Sequence, residues 1–252
     1  MYQITYTFTP TRSPLDGRFI TAHSLHGFLF TITGLADREA SDSLHKHPPP
    51  RPFTMVPLYT DDGTLAGIRL AAVTEQAAAL FTRTGEWFRD EQKICHLKGQ
   101  EFVIETVRCL PGPGWQQLAH SQPARQLGLR FLSPTAFSQK GNRRLLLPLP
   151  ANVFRSPVRM WETFAPSTMP RLDGWMDWCE RDVLVSDLRI ETVTVNIRER
   201  VKFTGFVGEV WYEAASYDET PLSIWQALAD LAVFCGVGYK STMGMGAVER
   251  IS

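Results

Sequence analysis

The chain has 252 residues, 44% hydrophobic and 21% charged, and its 26 basic and 26 acidic residues cancel. This composition supports a packed core in one large or two small domains and argues against global disorder. No run of eighteen apolar residues marks a membrane span, and four scattered cysteines without a Cys-x-x-Cys pair argue against a disulfide framework or zinc knuckle and fit a reducing cytoplasm. The start, Met1-Tyr2-Gln3-Ile4, has no basic region followed by an apolar stretch, so no signal peptide is expected.

Tyr2, Ile4, Tyr6 and Phe8 alternate with Gln3, Thr5 and Thr7, which predicts a strand with one buried face. From Ala22 to Ala36 the spacing becomes helical. Leu25, Phe28, Leu29, Ile32 and Leu35 fall on one side, and His23, His26 and Phe30 on the other. The stretch 43–54 reads as a loop in which Pro48, Pro49 and Pro50 stiffen the link as polyproline II. Strands are expected at 53–59 and 65–73, joined by the turn Asp61-Asp62-Gly63, then a helix at 75–88 and a strand at 102–110. That order, β-α-β-β-α-β, is ferredoxin-like. Cys95-His96 reads as a strand-edge pair.

Pro111-Gly112-Pro113-Gly114 opens an expected linker over 111–124. The remainder, 125–252, repeats the element order. Strands are expected at 127–132, 188–198, 201–213 and 247–251, with an inserted strand at 143–149. Helices are expected at 152–164, 175–181 and 221–234. Two tandem α+β units follow, at 1–110 and 125–252. The Trp and Phe side chains are read as core and not as base-stacking platforms.

The charge distribution is uneven. Between Thr106 and Trp161 there is no Asp or Glu, yet Arg108, Arg125, Arg130, Lys140, Arg143, Arg144, Arg155 and Arg159 all lie there. Folded, such a run could present a positive face that tracks phosphates; alternatively its arginines point apart, each solvated. Near the end, Gly236, Gly238, Gly244 and Gly246 enclose Lys240, Ser241 and Thr242. Glycine admits positive φ, and successive N–H groups can form an anion nest. Tyr239 separates Gly238 from Lys240, so this is not a P-loop, and Ser241 takes the third glycine position of a dinucleotide fingerprint. The alternative is a glycine-rich turn.

The glycine loop resembles that of the CRISPR-associated RNA endoribonucleases, the sixth Cas family, which cut repeat RNA into guide RNAs. Leu44-His45, Arg51 and Phe53-Thr54 resemble the family's histidine, basic residue and following strand. Phe131-Leu132-Ser133-Pro134-Thr135 resembles the start of its second unit, and Lys202-Phe203-Thr204-Gly205-Phe206-Val207-Gly208 its late hairpin. The resemblance implies two tandem ferredoxin-like units with repeat RNA as partner. It also implies a place in the cytoplasm as a monomer or homodimer, possible association with an effector complex, and no membrane, metal or cofactor. Cleavage would run through the ribose 2′-hydroxyl. His45 is the expected principal acid/base group, Arg51 the electrostatic clamp, and His26 the second acid/base candidate, with Lys46 and His47 as competitors. Lys140, Arg143, Arg144, Arg125, Arg130, Arg155, Arg159 and the loop residues 236, 238, 240–242, 244 and 246 are expected to hold RNA. Two departures stand out: many members are basic where this chain is neutral, and Phe30 occupies the position at which some carry a catalytic tyrosine. Phe30 cannot transfer a proton; His26, one turn earlier on the same face, could. The alternatives are a catalytically inactive repeat-RNA scaffold subunit and an unrelated ferredoxin-like domain binding a small phosphate ligand.

Overall fold

The computed structural model describes residues 1–251 and, of Asn142, the backbone alone. The chain forms two compact units. The first comprises Met1–Gly112 with Val195–Phe203 and Thr242–Gly244; the second comprises Pro113–Thr194, Thr204–Ser241 and the chain from Met245 onward.

In the first unit, β1 (Tyr2–Pro10) leads to α1 (Ala22–Ala36), α2 (Arg38–Lys46), β2 (Phe53–Tyr59), β3 (Leu65–Ala72), α3 (Glu75–Asp90), β4 (Cys95–Leu97) and β5 (Gln100–Pro111). The sheet runs β2-β3-β1-β5-β4. With the short β4 set aside, the first and third strands of the β-α-β-β-α-β unit lie in the middle, as in a ferredoxin-like sheet. Alternation on β1 sends Ile4, Tyr6 and Phe8 into one core with Leu25, Phe28, Leu29 and Ile32 of α1 and Leu80, Phe81 and Phe88 of α3. The Tyr6 hydroxyl donates to the Phe81 carbonyl there. Gly85 is required by that ring, since a Cβ on it would lie 2.5 Å from Tyr6 Cε1. Leu35, expected on the apolar face of α1, is 64% exposed, whereas Thr33 in the same last turn is buried.

Helix α2 corrects the sequence reading, which placed Leu44 and His45 in a loop. Asp37 ends α1 and at once caps α2, its carboxylate accepting from Ala40 N at 3.0 Å. Ser41 and Leu44 are the buried residues of α2, and Ser41 Oγ bonds Thr33 Oγ1 of α1 at 2.8 Å. The helix is otherwise polar, so it shows no apolar stripe of period 3.6.

The second unit opens with α4 (Trp115–Ala119), inside the stretch expected as a linker. It continues through β6 (Gln126–Thr135), β7 (Phe137–Ser138), β8 (Arg144–Leu145), α5 (Pro150–Phe164), α6 (Trp175–Asp182), β9 (Val183–Arg198), β10 (Val201–Ala214), α7 (Glu219–Cys235) and β11 (Val248–Ile251). Its main sheet runs β11-β6-β10-β9, the same ferredoxin-like order. The inserted strand expected at 143–149 is only the two-residue β8, paired with β7. Phe154, Trp175, Trp178, Tyr212 and Trp225 form an aromatic core cluster, as the core reading expects; Phe19 and Trp87 depart from it and are exposed. The tip of the β9–β10 hairpin, Val195–Phe203, groups with the first unit, where Lys98 Nζ meets Glu199 Oε1 at 3.1 Å. No helix among the described residues is long and apolar enough to cross a membrane.

Candidate active site and nucleic-acid interface

Three residues singled out in the sequence converge in the first unit. His26 sits one turn into α1, on the side away from Leu25 and Leu29. Its ring lies 4.9 Å from the Phe30 ring and 6.0 Å from the His45 ring, between centroids. His45 stands in the last turn of α2, packed on Phe30 at 4.5 Å. Phe30 thus forms the floor between two imidazoles instead of contributing a proton.

The remaining fixed point comes from the glycine loop. His26 Nδ1 lies 2.9 Å from the Thr242 carbonyl oxygen. A carbonyl only accepts, so Nδ1 carries the hydrogen, and in the neutral ring Nε2 keeps its lone pair. Burial pushes the His26 pKa below that of an ordinary histidine. The charges of Arg51, His45 and His23 act the same way, against the Thr242 hydrogen bond. His26 is therefore a half-buried imidazole with one nitrogen anchored and the other able to take a proton. Thr242, expected as a hydroxyl donor to RNA, acts here through its backbone carbonyl as an acceptor.

Arg51 folds back on the end of α2. Its Nη2 donates to His45 O at 2.9 Å and its Nε to His47 O at 3.3 Å. Such bonds satisfy carbonyls left open at a helix C-terminus, and they hold the guanidinium beside His45. The competitors are engaged otherwise: Lys46 Nζ pairs with Asp42 at 3.4 Å, and His47 Nδ1 donates to Pro48 O at 2.6 Å. Among the described residues, no three His, Cys, Asp or Glu side chains gather to hold a metal ion.

The second unit separates the acid-free basic run into classes. Arg130 on β6 is gripped by Glu209 of β10 at 2.6 Å and Glu249 of β11 at 2.9 Å. Arg125 donates to the Ala214 carbonyl at 2.9 Å, lies over the Tyr217 ring, and pairs with Glu213 at 3.4 Å. Arg155 and Arg159 line a groove of ≈ 730 Å³ between α5, α6 and the start of β9, where Glu162 and Glu180 also lie. Lys140, Arg143 and Arg144 sit on the exposed β7–β8 hairpin. The Arg144 guanidinium lies 4.4 Å from the Tyr239 ring centroid, and Lys240 Nζ 4.9 Å from it. Hairpin and glycine loop thus meet around one aromatic ring, which sequence reasoning passed over. Cation–π attraction accounts for both contacts.

The glycine loop itself is held tightly. Gly236, Gly238, Gly244 and Gly246 all have positive φ, as does Lys240 at 68°. A Cβ at Gly238 would lie 2.6 Å from Ala136 O, and one at Gly246 would overlap the Val237 carbonyl oxygen. Many of the loop's N–H groups are spent within the fold: Val237 N on Gly246 O, Gly238 N on Ser156 Oγ, Tyr239 N on Ala136 O, and Gly246 N on Pro134 O. The glycines therefore serve close packing and a left-handed path.

A sequence profile described as "CRISPR-associated endoribonuclease Cas6" matches residues 129–248, which run from β6 through the glycine loop into β11. Over these residues the chain is similar to Cas6. A Cas6 from Thermus thermophilus, solved as a product complex, superposes on the Cas6-like chain with a TM-score of 0.84 at 24% identity, covering 99% of each chain. A second Cas6, also a product complex, gives 0.78 at 25% identity over 100% of each chain. A Cas6-related protein from Pyrococcus furiosus gives 0.63 at 11% identity, over 99% of this chain and 98% of that one. These superpositions agree with two tandem ferredoxin-like units. No curated protein matches the chain. His26, His45 and Arg51 lie outside the residues matched by the Cas6 profile.

Proposed function

We propose that this Cas6-like chain is an endoribonuclease that processes CRISPR precursor RNA, cutting it without a metal ion. The observation that carries the reading is the His26–Thr242 bond, which leaves Nε2 of a neutral imidazole beside His45 and Arg51. The 2′-hydroxyl upstream of the cut attacks phosphorus in line. A bond forms between the 2′ oxygen and phosphorus, and the bond from phosphorus to the 5′ oxygen breaks. His26 takes the 2′ proton through Nε2, and His45 gives a proton to the leaving 5′ oxygen; each such transfer is typically worth about 10²- to 10⁴-fold. The remaining Arg51 N–H groups stabilise charge growing on the non-bridging oxygens. The products are a 2′,3′-cyclic phosphate and a 5′-hydroxyl. Lys140, Arg143, Arg144 and Lys240 hold the RNA backbone.

The test is single-turnover cleavage of repeat RNA in EDTA. Wild-type protein is expected to cut fully, to leave a substrate with one 2′-deoxy nucleotide upstream of the cut intact, and to bind both. His45→Ala is expected to lose on the order of 10²-fold or more in rate while repeat affinity holds, because proton transfer acts mainly in the transition state. Strict magnesium dependence, or cleavage of the deoxy substrate, would rule out internal attack. Wild-type rates from His45→Ala would remove it from the site. Binding without any cleavage by the wild type would make the chain a scaffold subunit.

A further inference from the structure

The first unit's sheet has a second face, opposite the helices, that none of the site residues above uses. On β1 the residues between the core positions are Gln3, Thr5, Thr7 and Thr9. Thr5 pairs directly with Arg69 of β3 on one side and with Arg108 of β5 on the other. Directly paired residues share a face, so the two arginines flank Thr5 across three strands. Neighbouring strands are about 4.8 Å apart, which puts the two Cα atoms roughly 10 Å apart. Long side chains can converge across that span on one ligand. Thr7 and Thr106 pair in the next row, their hydroxyls 2.7 Å apart.

Arg69 is half-buried and Arg108 exposed, and among the described residues neither guanidinium has a hydrogen-bond or ion-pair partner. The rows on either side, Gln3 and Thr7 with their cross-strand partners Ala71, Leu110, Gly67 and Thr106, carry no carboxylate. Glu105, further along β5, accepts the Thr9 hydroxyl at 2.6 Å. Arg130 and Arg250, by contrast, each sit against carboxylates. Two cations on one row repel each other, and the half-buried Arg69 has also given up part of its hydration; a bound anion offsets both costs.

We infer that Arg69 and Arg108 form an anion site on the face of the first sheet opposite its helices, and that its occupant is a phosphodiester group of a single-stranded stretch of RNA. This rests on the reading that the chain binds RNA. These rows carry hydroxyls, two guanidinium groups and aliphatic side chains but no aromatic ring, so they read backbone and not bases. Thr5, Thr7 and Thr106 supply hydroxyl donors beside the two charges.

The experiment measures affinity for a repeat RNA blocked by one 2′-deoxy nucleotide at the cut, over a series of salt concentrations. The proteins are wild type, Arg69→Gln/Arg108→Gln, Arg69→Lys/Arg108→Lys and Arg143→Ala/Arg144→Ala. The Gln pair is expected to bind more weakly and to flatten the salt slope by about 0.7 for each single-strand phosphate no longer neutralised, and the Lys pair to restore the slope because charge is kept. An unchanged slope in the Gln pair overturns the site, whether the true occupant is an acidic protein surface or nothing. Weaker binding with an unchanged slope, which lysine does not rescue, assigns the arginines to sheet stability and equally overturns it. If the Arg143/Arg144 variant lowers the slope while the Gln pair does not, the RNA reading stands and this site falls. If wild-type protein fails to bind repeat RNA, both fall.

Discussion

His26 shows what a single residue owes to the fold. Its place on α1, opposite the apolar stripe, was legible from helical spacing. Its anchor was not, because Thr242 lies 216 residues away and acts through a backbone carbonyl that no side-chain pattern records. The anchor makes a sharp expectation. An asparagine amide at 26 can place its NH₂ near Nδ1 and keep the Thr242 bond, but it offers nothing at Nε2. His26→Asn is therefore expected to lose cleavage on the order of 10²-fold while keeping hydrogen-exchange protection across 241–244; His26→Ala loses both. An Asn variant that cuts normally would remove the base assignment. The lowered pKa of His26 also sets a sign. A general base must be deprotonated, so the acid limb of the single-turnover rate against pH is expected below the ordinary histidine value of about 6.5. A limb at or above that value would contradict a buried neutral base.

At the scale of elements, the sequence carried the strands and apolar helices because burial imposes a period on them. Helices α1 and α3 and strands β2, β3, β5 and β10 lie within a residue or two of where alternation placed them. Helix α2 escaped because its stability comes from the Asp37 cap and two buried side chains, not from a stripe. The glycine loop was legible as a loop, but its reason was not. Positive φ and close approach were both expected of a nest, yet the donors turn inward to Pro134, Ala136, Ser156 and Gly246. Gly246 tests that account. With φ at 68° and the Val237 carbonyl in the path of any Cβ, Gly246→Ala is expected to cost about 1–3 kcal/mol or more, read as a lower unfolding midpoint in urea. An unchanged midpoint would show that the loop tolerates a side chain where this packing forbids one.

At the scale of the whole molecule, the question is how a neutral chain would hold the RNA proposed for it. Linear charge pattern answered it only in part. The acid-free run between Thr106 and Trp161 is real in sequence, but strands β10 and β11 return Glu209, Glu213 and Glu249 to Arg130 and Arg125. Sheet pairing joins residues distant along the chain, so a run without acids is not a surface without acids. The β7–β8 hairpin and Lys240 gather elsewhere, with the Arg144 guanidinium and Lys240 Nζ over the Tyr239 ring. The two classes of arginine should then separate by salt. Arg143→Ala/Arg144→Ala is expected to weaken repeat-RNA binding and flatten the dependence of log affinity on log salt by about 0.7 to 0.9 for each phosphate left unneutralised. Arg130→Ala is expected to leave that slope alone and instead lower stability modestly, since it leaves Glu209 and Glu249 facing each other without their shared cation. Isothermal binding at four or five salt concentrations, alongside urea unfolding, reads both quantities on the same proteins. If Arg130→Ala flattens the slope as much as the hairpin variant does, the carboxylates do not hold Arg130 in solution, and the positive surface extends across β6.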